Sequence, residues 1–282
     1  MKKSILISLL ILFGIVMVSC NNKNFEVNDK TSILIKENQK IIQESSLEES
    51  VRNGDSSNKN DFDTSNRIGY EIIKASYIDK NIKINYPQIV HLGDESKQKK
   101  INEIIKDDAY GYLKNYSEEG NNDFDLDLDY HITWKSSNLL SIQYSGYSYD
   151  KGAAHPNYEF YTTNIGINKE KTLRLTDLVN INEHFVTQFK GGKLKSSITE
   201  QKYILDEYSN QEWISRINNI DSNDSEMYWY LTEDSLGISV QISHSAGDHA
   251  EFEIKYQDIQ ENIKHENEIW KDFAELFSER TI

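Results

Sequence analysis

The stretch DFDLDLDYHITW, residues 123–134, carries the strongest structural signal in the chain. Apolar residues occupy every second position from Phe124 to Trp134, so their side chains fall on one face of an extended strand. A turn spelled KSSN follows, after which Leu140, Ile142 and Tyr144 continue the alternation. The pattern predicts two antiparallel strands with one buried face and one face in water.

Similar patterns extend in both directions from this hairpin. Residues 70–89 predict an earlier pair of strands, and residues 158–175 predict a later pair. Apolar residues at helical spacing predict helices over 94–120 and 176–191, and further helical segments follow from residue 193. Because strands and helices come in clusters rather than in strict alternation, the sequence predicts an α+β fold with antiparallel sheets and packed helices.

The first twenty residues, MKKSILISLLILFGIVMVSC, predict export. Lys2 and Lys3 precede an apolar run, Ile5 to Val18, that has the length of a signal-peptide core and is short for a membrane span of roughly 20 residues. The ending resembles a bacterial lipobox, in which the cysteine is lipidated and becomes the N-terminus. Cys20 is the sole cysteine of the chain, so an intramolecular disulfide cannot form. We expect a lipid anchor, such as palmitate, at Cys20; an uncleaved N-terminal anchor is the alternative.

The composition divides the rest of the chain into segments. After a signal peptide over 1–19, residues 20–67 are rich in Asn, Ser, Asp, Glu and Lys and predict a flexible polar tether. The folded part of the chain is predicted to follow, over 68–258. Residues 259–282 predict a C-terminal amphipathic helix.

The charge of the chain limits its partners. The net charge is -15, and binding of nucleic acid requires a basic surface. Removal of residues 1–19 takes away two lysines and leaves a net charge of -17. A surface of this sign is soluble, and it speeds association with a basic protein.

Two acidic or histidine-rich patterns raise the possibility of a metal site. In the aspartate row Asp123–Asp129, a calcium loop would require glycine at the sixth position and glutamate at the twelfth, where Leu128 and Trp134 stand. The row therefore predicts the wet face of a strand, with weak divalent binding left open. His244, Asp248 and His249 have a spacing that zinc could use, but a polar turn explains the same letters. We expect no metal and no cofactor.

The loop SYDKGAAHPNY, residues 148–158, is the second candidate for chemistry. Asp150 and His155 could form an acid–base pair. No GxSxG elbow, phosphate-binding loop or dinucleotide fingerprint occurs in the chain, so the sequence predicts no catalytic residue.

Ligand recognition is the other possible use of this loop, around Gly152–Tyr158, and of a second loop, around Ser243–His249. Tyrosines cluster around the first loop, and tyrosine gives contact area at low entropic cost, although sheet packing explains tyrosines equally well. The predicted ligand-binding residues lie in or beside these two loops. They are Tyr149, Gly152, His155, Pro156, Tyr158, His244, Gly247 and His249.

A family resemblance follows from two motifs. GAAHP, residues 152–156, stands before a strand, and LRLTDL, residues 173–178, follows it. The later run WYLTEDSLGISVQISHSAGDHAEFEIKY, residues 229–256, matches a second motif, except that Lys255 stands where the family often has proline. These residues resemble the extracytoplasmic RsiV-like domain of bacterial envelope proteins. Residues 72–119 are similar to the PdaC-like domain that commonly precedes it. The resemblance implies a small α/β domain over 68–122 and a larger α+β domain over 123–258.

The resemblance implies an α+β module at the cell wall and implies no reaction. Relatives with this domain pair include an anti-sigma factor whose outer domain binds lysozyme, and the non-catalytic region of a peptidoglycan deacetylase. The expected function is a membrane-anchored module that binds a lysozyme-type hydrolase or a peptidoglycan fragment. A cell-wall-modifying hydrolase or deacetylase-related enzyme and a structural assembly lipoprotein are the alternatives.

Overall fold

The computed structural model of the chain describes residues 69–115, 123–274 and 277. All of them belong to one unit of the chain, Asn60–Ile282. The predicted signal peptide, lipidated Cys20 and tether over 20–67 lie outside the described residues. Among the helices of the described part, none has the length and hydrophobicity of a membrane span.

The first sheet follows chain order. Its strands lie in the sequence β1 to β6, with bounds β1 (Glu71–Asp79), β2 (Ile82–Val90), β3 (Phe124–Lys135), β4 (Leu139–Asp150), β5 (Asn157–Gly166) and β6 (Lys171–Thr172). Neighbours are antiparallel, except that β2 and β3 run parallel through Ile84 and Leu128. Helix α1 (Glu95–Ala109) connects these two strands, which is the kind of crossover that a parallel pair requires.

The second sheet has four strands in the order β7-β10-β9-β8. Their bounds are β7 (Lys193–Leu194), β8 (Met227–Leu231), β9 (Ser235–Gln241) and β10 (His249–Lys255). The helices of this half of the chain are α2 (Leu175–Leu178), α3 (Glu183–Lys190) and α4 (Asn210–Asn218). Mixed, mainly antiparallel sheets with separate helices confirm the α+β class.

Two hydrophobic cores correspond to the two sheets. The first core packs α1 against one face of the first sheet, with Ile101, Leu128 and Tyr144 fully buried. The second core lies under the second sheet and includes Trp213 and Phe252. Strands β1 and β2 and helix α1, which precede the predicted domain boundary at residue 122, share a sheet and a core with β3 to β5, which follow it.

A polar seam joins the two sheets. The carbonyl of Trp229 in β8 accepts hydrogen bonds from Thr162 Oγ1 at 2.6 Å and from Asn164 Nδ2 at 2.7 Å. The Oγ of Ser141 accepts from the backbone N–H of Leu231 at 3.1 Å and donates to Asn164 Oδ1 at 2.6 Å. The burial of polar groups costs little free energy only when they are paired in this way. The seam therefore favours one position of β8 relative to β4 and β5.

Three predicted helical segments upstream of residue 210 differ from the structure. The helix predicted over 94–120 starts as expected, with Asp94 as its N-cap, but it ends at Ala109. The helix predicted over 176–191 is two helices, and Asn182 caps the second by accepting from the N–H of Phe185. The residues after β7 form a 3₁₀ segment, Thr199–Asp206, rather than an α-helix.

The amphipathic helix predicted over 259–282 is not continuous, because its described residues form 3₁₀ segments at Gln260–Asn262 and Glu268–Phe273 before the α-helical residues Ala274 and Phe277. The backbone of this region makes short local bonds, such as Asn262 N–H to the carbonyl of Ile259 at 2.8 Å, and it also bonds to distant residues. Asn180 N–H donates to the carbonyl of Asn262 at 2.7 Å, and Lys264 N–H donates to that of Leu178 at 2.9 Å. The apolar periodicity was nevertheless meaningful, because Trp270 and Phe273 are buried in the second core.

The closest approach of β3 and β4 gives a stability prediction. A Cβ atom added at Gly146 would lie 1.9 Å from the carbonyl oxygen of Asp127, which is a backbone atom that cannot rotate away. We expect Gly146→Ala to lower the free energy of unfolding by about 3 kcal/mol, measured by urea denaturation. Gly93→Ala is the matched control, because a Cβ there meets no atom within 4 Å. Equal stability of the two variants would contradict the prediction.

Candidate functional site

The two loops singled out in the sequence meet in the structure. Residues 151–156 connect β4 to β5, and residues 242–248 connect β9 to β10. The imidazole rings of His155 and His244 stack with centroids 3.6 Å apart and planes 15° from parallel. This contact between residues of different sheets is the centre of the candidate site.

Asp248 holds the two loops together. Its Oδ1 lies 2.6 Å from His244 Nδ1, a hydrogen bond that the carboxylate accepts. Its Oδ2 accepts from the backbone N–H of Tyr158 at 2.8 Å. Asp248 has a φ of 66° and follows Gly247 at 110°, a left-handed turn that glycine and aspartate adopt more easily than other residues. The letters Gly-Asp therefore place the carboxylate between the loops.

A second set of contacts supports the histidine loop from below. Tyr203 accepts a hydrogen bond from the N–H of Ser243 at 3.2 Å, and its hydroxyl donates to Ser243 Oγ at 3.3 Å. Gln201 Nε2 donates to the carbonyl of Ala246 at 2.7 Å. Both supports come from the 3₁₀ segment Thr199–Asp206, which sequence reasoning assigned to a helix and did not connect with the site.

A pair of exposed tyrosines continues the surface from the histidine stack. Tyr147 and Tyr158 are cross-strand partners in β4 and β5, and 44% and 58% of their respective surfaces are exposed. Rings of this kind offer contact area on an open sheet face. Tyr149 lies on the same strand as Tyr147 and donates its hydroxyl to the carbonyl of Ala153 at 3.2 Å, so it braces the loop.

Lysines neutralise three carboxylates of the aspartate row. Asp123 lies 2.9 Å from Lys151, Asp127 lies 3.7 Å from Lys83, and Asp129 lies 3.3 Å from Lys74. Such exposed ion pairs contribute little to stability. They show that the alternating aspartates of β3 lie on the solvent-facing side of the sheet. Among the described residues, no group of three or more His, Cys, Asp or Glu side chains could hold a metal ion.

His249 has different surroundings from His155 and His244. It lies on β10, with its ring 4.7 Å from the ring of Phe160 and its Nε2 3.8 Å from Glu251 Oε1. Burial lowers the pKa of His249 below its ordinary value, against the opposing effect of Glu251. The structure therefore assigns this predicted ligand-binding residue to the region between the sheets.

The remaining predicted residues shape the first loop. Gly152 has a φ of 99°, a conformation that requires glycine, and Pro156 stands directly before β5. Asp150 and His155 were only a possible acid–base pair in the sequence, and His155 has other ring contacts in the structure. His155 stacks on a second histidine, and Asp248 is the carboxylate that bonds to that histidine. Cys20 lies outside the described residues.

Comparisons with known proteins agree in part with the resemblance read from the motifs. Residues 73–158 match the family model described as Deacetylase PdaC, a range that extends beyond the predicted small domain to Tyr158. A DUF3298 family member from Bacteroides fragilis NCTC 9343 has 14% identity and a TM-score of 0.48, with 74% of this chain and 99% of that chain covered. A DUF3298 family protein from Pseudomonas aeruginosa PAO1 has 14% identity and a TM-score of 0.40, with 70% and 94% covered. No curated protein matches the chain.

Removal of the Asp248 carboxylate should loosen the site. Asp248→Ala loses both hydrogen bonds and places alanine at a φ of 66°, so we expect a loss of about 2 kcal/mol in the free energy of unfolding. Asp248→Asn keeps an acceptor and tolerates the left-handed backbone, so its loss should be smaller. Chemical denaturation compares the variants, and an alanine variant as stable as the parent chain would contradict the bridging role.

The lowered pKa of His249 predicts a dependence of stability on pH. As the pH falls through the ordinary histidine value of 6.5, the unfolded chain binds a proton at His249 that the folded chain does not bind. The free energy of unfolding should therefore fall more steeply with acidification in the parent chain than in His249→Gln. Urea denaturation of both proteins at about pH 5 and about pH 8 measures the difference. Parallel pH profiles would show that burial does not perturb this histidine.

Proposed function

We propose that this chain is a lipid-anchored extracytoplasmic module that binds a ligand of the cell envelope. The observation that carries the proposal is the meeting of the two loops, in which His155 stacks on His244 at 3.6 Å. Loops that are far apart in sequence and are fixed against each other on rigid strands are a common arrangement for recognition.

The chemistry of the surface supports binding. The stacked imidazoles and the exposed rings of Tyr147 and Tyr158 provide flat aromatic area, and the Asp248 bridge preorganises the loops before a ligand arrives. Preorganised sites bind more tightly because less conformational entropy is lost on binding.

Two ligand classes fit the proposal. A lysozyme-type hydrolase is the first, because the negative charge of the chain favours encounter with a basic protein. A peptidoglycan fragment is the second, because sugar rings can stack on the exposed tyrosines. A signal peptide and a lipidated Cys20 would place the module on the outer surface of a membrane, next to both ligands.

Calorimetric titration of the extracytoplasmic chain with lysozyme and with muropeptides tests the binding proposal. We expect one of the two to bind, and we expect Tyr158→Ala and His155→Ala to weaken its affinity by about tenfold or more, as recognition residues do. His131→Ala is the control, since this exposed histidine lies on β3 opposite Gln143, away from both loops.

Three results separate the possibilities. Weakening in the Tyr158 and His155 variants without weakening in the His131 variant supports the site. Binding that all three variants retain places recognition elsewhere on the chain. Failure of both ligands to bind removes the proposed function.

The His244–Asp248 hydrogen bond favours a second candidate function, a hydrolase that acts on the cell wall. A carboxylate that orients an imidazole is a recurring part of general base catalysis, and here the two groups are 2.6 Å apart with part of the ring exposed. The test is release of products from purified peptidoglycan. Activity that His244→Ala abolishes supports an enzyme, whereas absence of products from the parent chain, or products unaffected by the substitution, excludes this dyad.

A further inference from the structure

Strand β5 leaves most of one edge unpaired within the described structure. Its neighbour β4 pairs with it from Asn157 to Gly166. On its other side, β6 pairs only with Ile165 and Gly166. Among the residues that the structure describes, no strand therefore pairs with the edge from residue 158 to residue 164.

Two hydrogen bonds show which backbone groups point along this edge. The N–H of Tyr158 donates outward to Asp248, and the carbonyl of Asn164 accepts from the N–H of Leu173 at 2.8 Å. Along an antiparallel strand, the backbone N–H and carbonyl groups of successive residues point alternately to the two neighbouring sides. Phe160 and Thr162, which lie between these positions with the same parity, must therefore direct their N–H and carbonyl groups outward as well.

A groove of about 730 Å³ runs along this edge. Every residue from Glu159 to Asn164 lines it. Since side chains alternate between the two faces of a strand, a continuous run of lining residues shows that the groove faces the edge itself. One wall is the end of α1 and the residues after it, and the other is the segment 220–229.

The walls of the groove are acidic. Asp107 and Asp108 stand on the α1 side and Asp221 on the other. Glu159 projects from the strand, and its Oε1 accepts from Ser148 at 2.6 Å and from Tyr112 at 2.9 Å. The cation among the lining residues, Arg174, forms an ion pair with Asp177 at 2.9 Å.

We propose that an extended, basic segment of a partner protein binds in this groove by adding a strand to the free edge of β5. Its backbone would pair with Phe160 and Thr162, which supplies affinity without dependence on sequence. Lysine or arginine side chains would lie against the acidic walls, which selects the partner by charge. This site is separate from the histidine stack, and it does not depend on the function proposed there.

Selection of a displayed library of random decapeptides on the extracytoplasmic chain tests the proposal. We expect enrichment of peptides with lysine or arginine at several positions. A selected peptide, synthesised and titrated by calorimetry, should lose at least tenfold in affinity when it carries N-methyl groups on alternate residues of the pairing parity. The matched control is the same peptide with N-methyl groups on the intervening residues, whose N–H groups point away from β5.

Two pairs of variants test the protein side. Thr162→Pro removes an outward N–H without touching the β4 ladder, while Thr162→Val retains that N–H and loses only the hydroxyl; we expect weaker binding in the first than in the second. Asp107→Lys reverses a charge in the groove, and Glu103→Lys makes the same change one turn earlier on α1, outside the groove. We expect at least a fivefold loss of affinity in the Asp107 variant and little change in the Glu103 variant.

Hydrogen exchange gives a readout that does not depend on any substitution. On saturation with the selected peptide, the amides of Phe160 and Thr162 should become protected, whereas that of Tyr158, which already bonds to Asp248, should change little. Absence of enriched basic peptides, equal binding by both methylated forms, or no gain of protection at these amides would overturn the proposal. Peptides that bind only after residues 21–67 are removed would overturn it too, by indicating that the chain's own segment occupies the groove.

Discussion

The carbonyl of Trp229 is the centre of the buried hydrogen bonds that join the two sheets. It accepts hydrogen bonds from Thr162 and Asn164 of β5, and Ser141 completes the seam through Leu231. Ser141 and Asn164 are buried and Thr162 is half-buried, so displacement of β8 along β5 would leave buried polar groups unpaired at a cost of about 1–3 kcal/mol each. The relative position of the two sheets, and of every loop that they carry, depends on this seam.

The contact between His155 and His244 is a consequence of the relative position of the two sheets. β5 begins after the loop that contains His155, and β10 begins after the loop that contains His244, so the loops meet because the sheets meet. Phe160 fills the space between the sheets and touches His249, Tyr228 and Tyr230. Phe160 packs between the sheets, and Asp248 makes hydrogen bonds to both His244 and Tyr158. Together these contacts favour the arrangement in which the two imidazoles stack.

Local patterns in the sequence were enough to predict much of the first sheet. Period-two alternation identified β3 and β4, and the loop letters around His155 and His244 singled out both halves of the site. The contact between those halves spans about ninety residues of chain, and no local pattern carries that information. The role of Tyr203 was missed for the same reason. The first part of the predicted C-terminal helix forms 3₁₀ segments instead, and there Asn262 and Lys264 exchange backbone bonds with the region of Leu178. Periodicity reports which side chains are buried, and it does not report where the backbone bonds go.

Asp248 has a further consequence, since each of its carboxylate oxygens serves a different surface. Oδ1 bonds to the histidine loop, and Oδ2 bonds to the N–H of Tyr158, the first outward-pointing group on the β5 edge. A ligand that shifts this side chain at either surface must change the free energy of binding at the other. By thermodynamic linkage the effect is reciprocal, and each ligand alters the affinity of the other by the same factor. One carboxylate would then make two neighbouring surfaces a single cooperative unit.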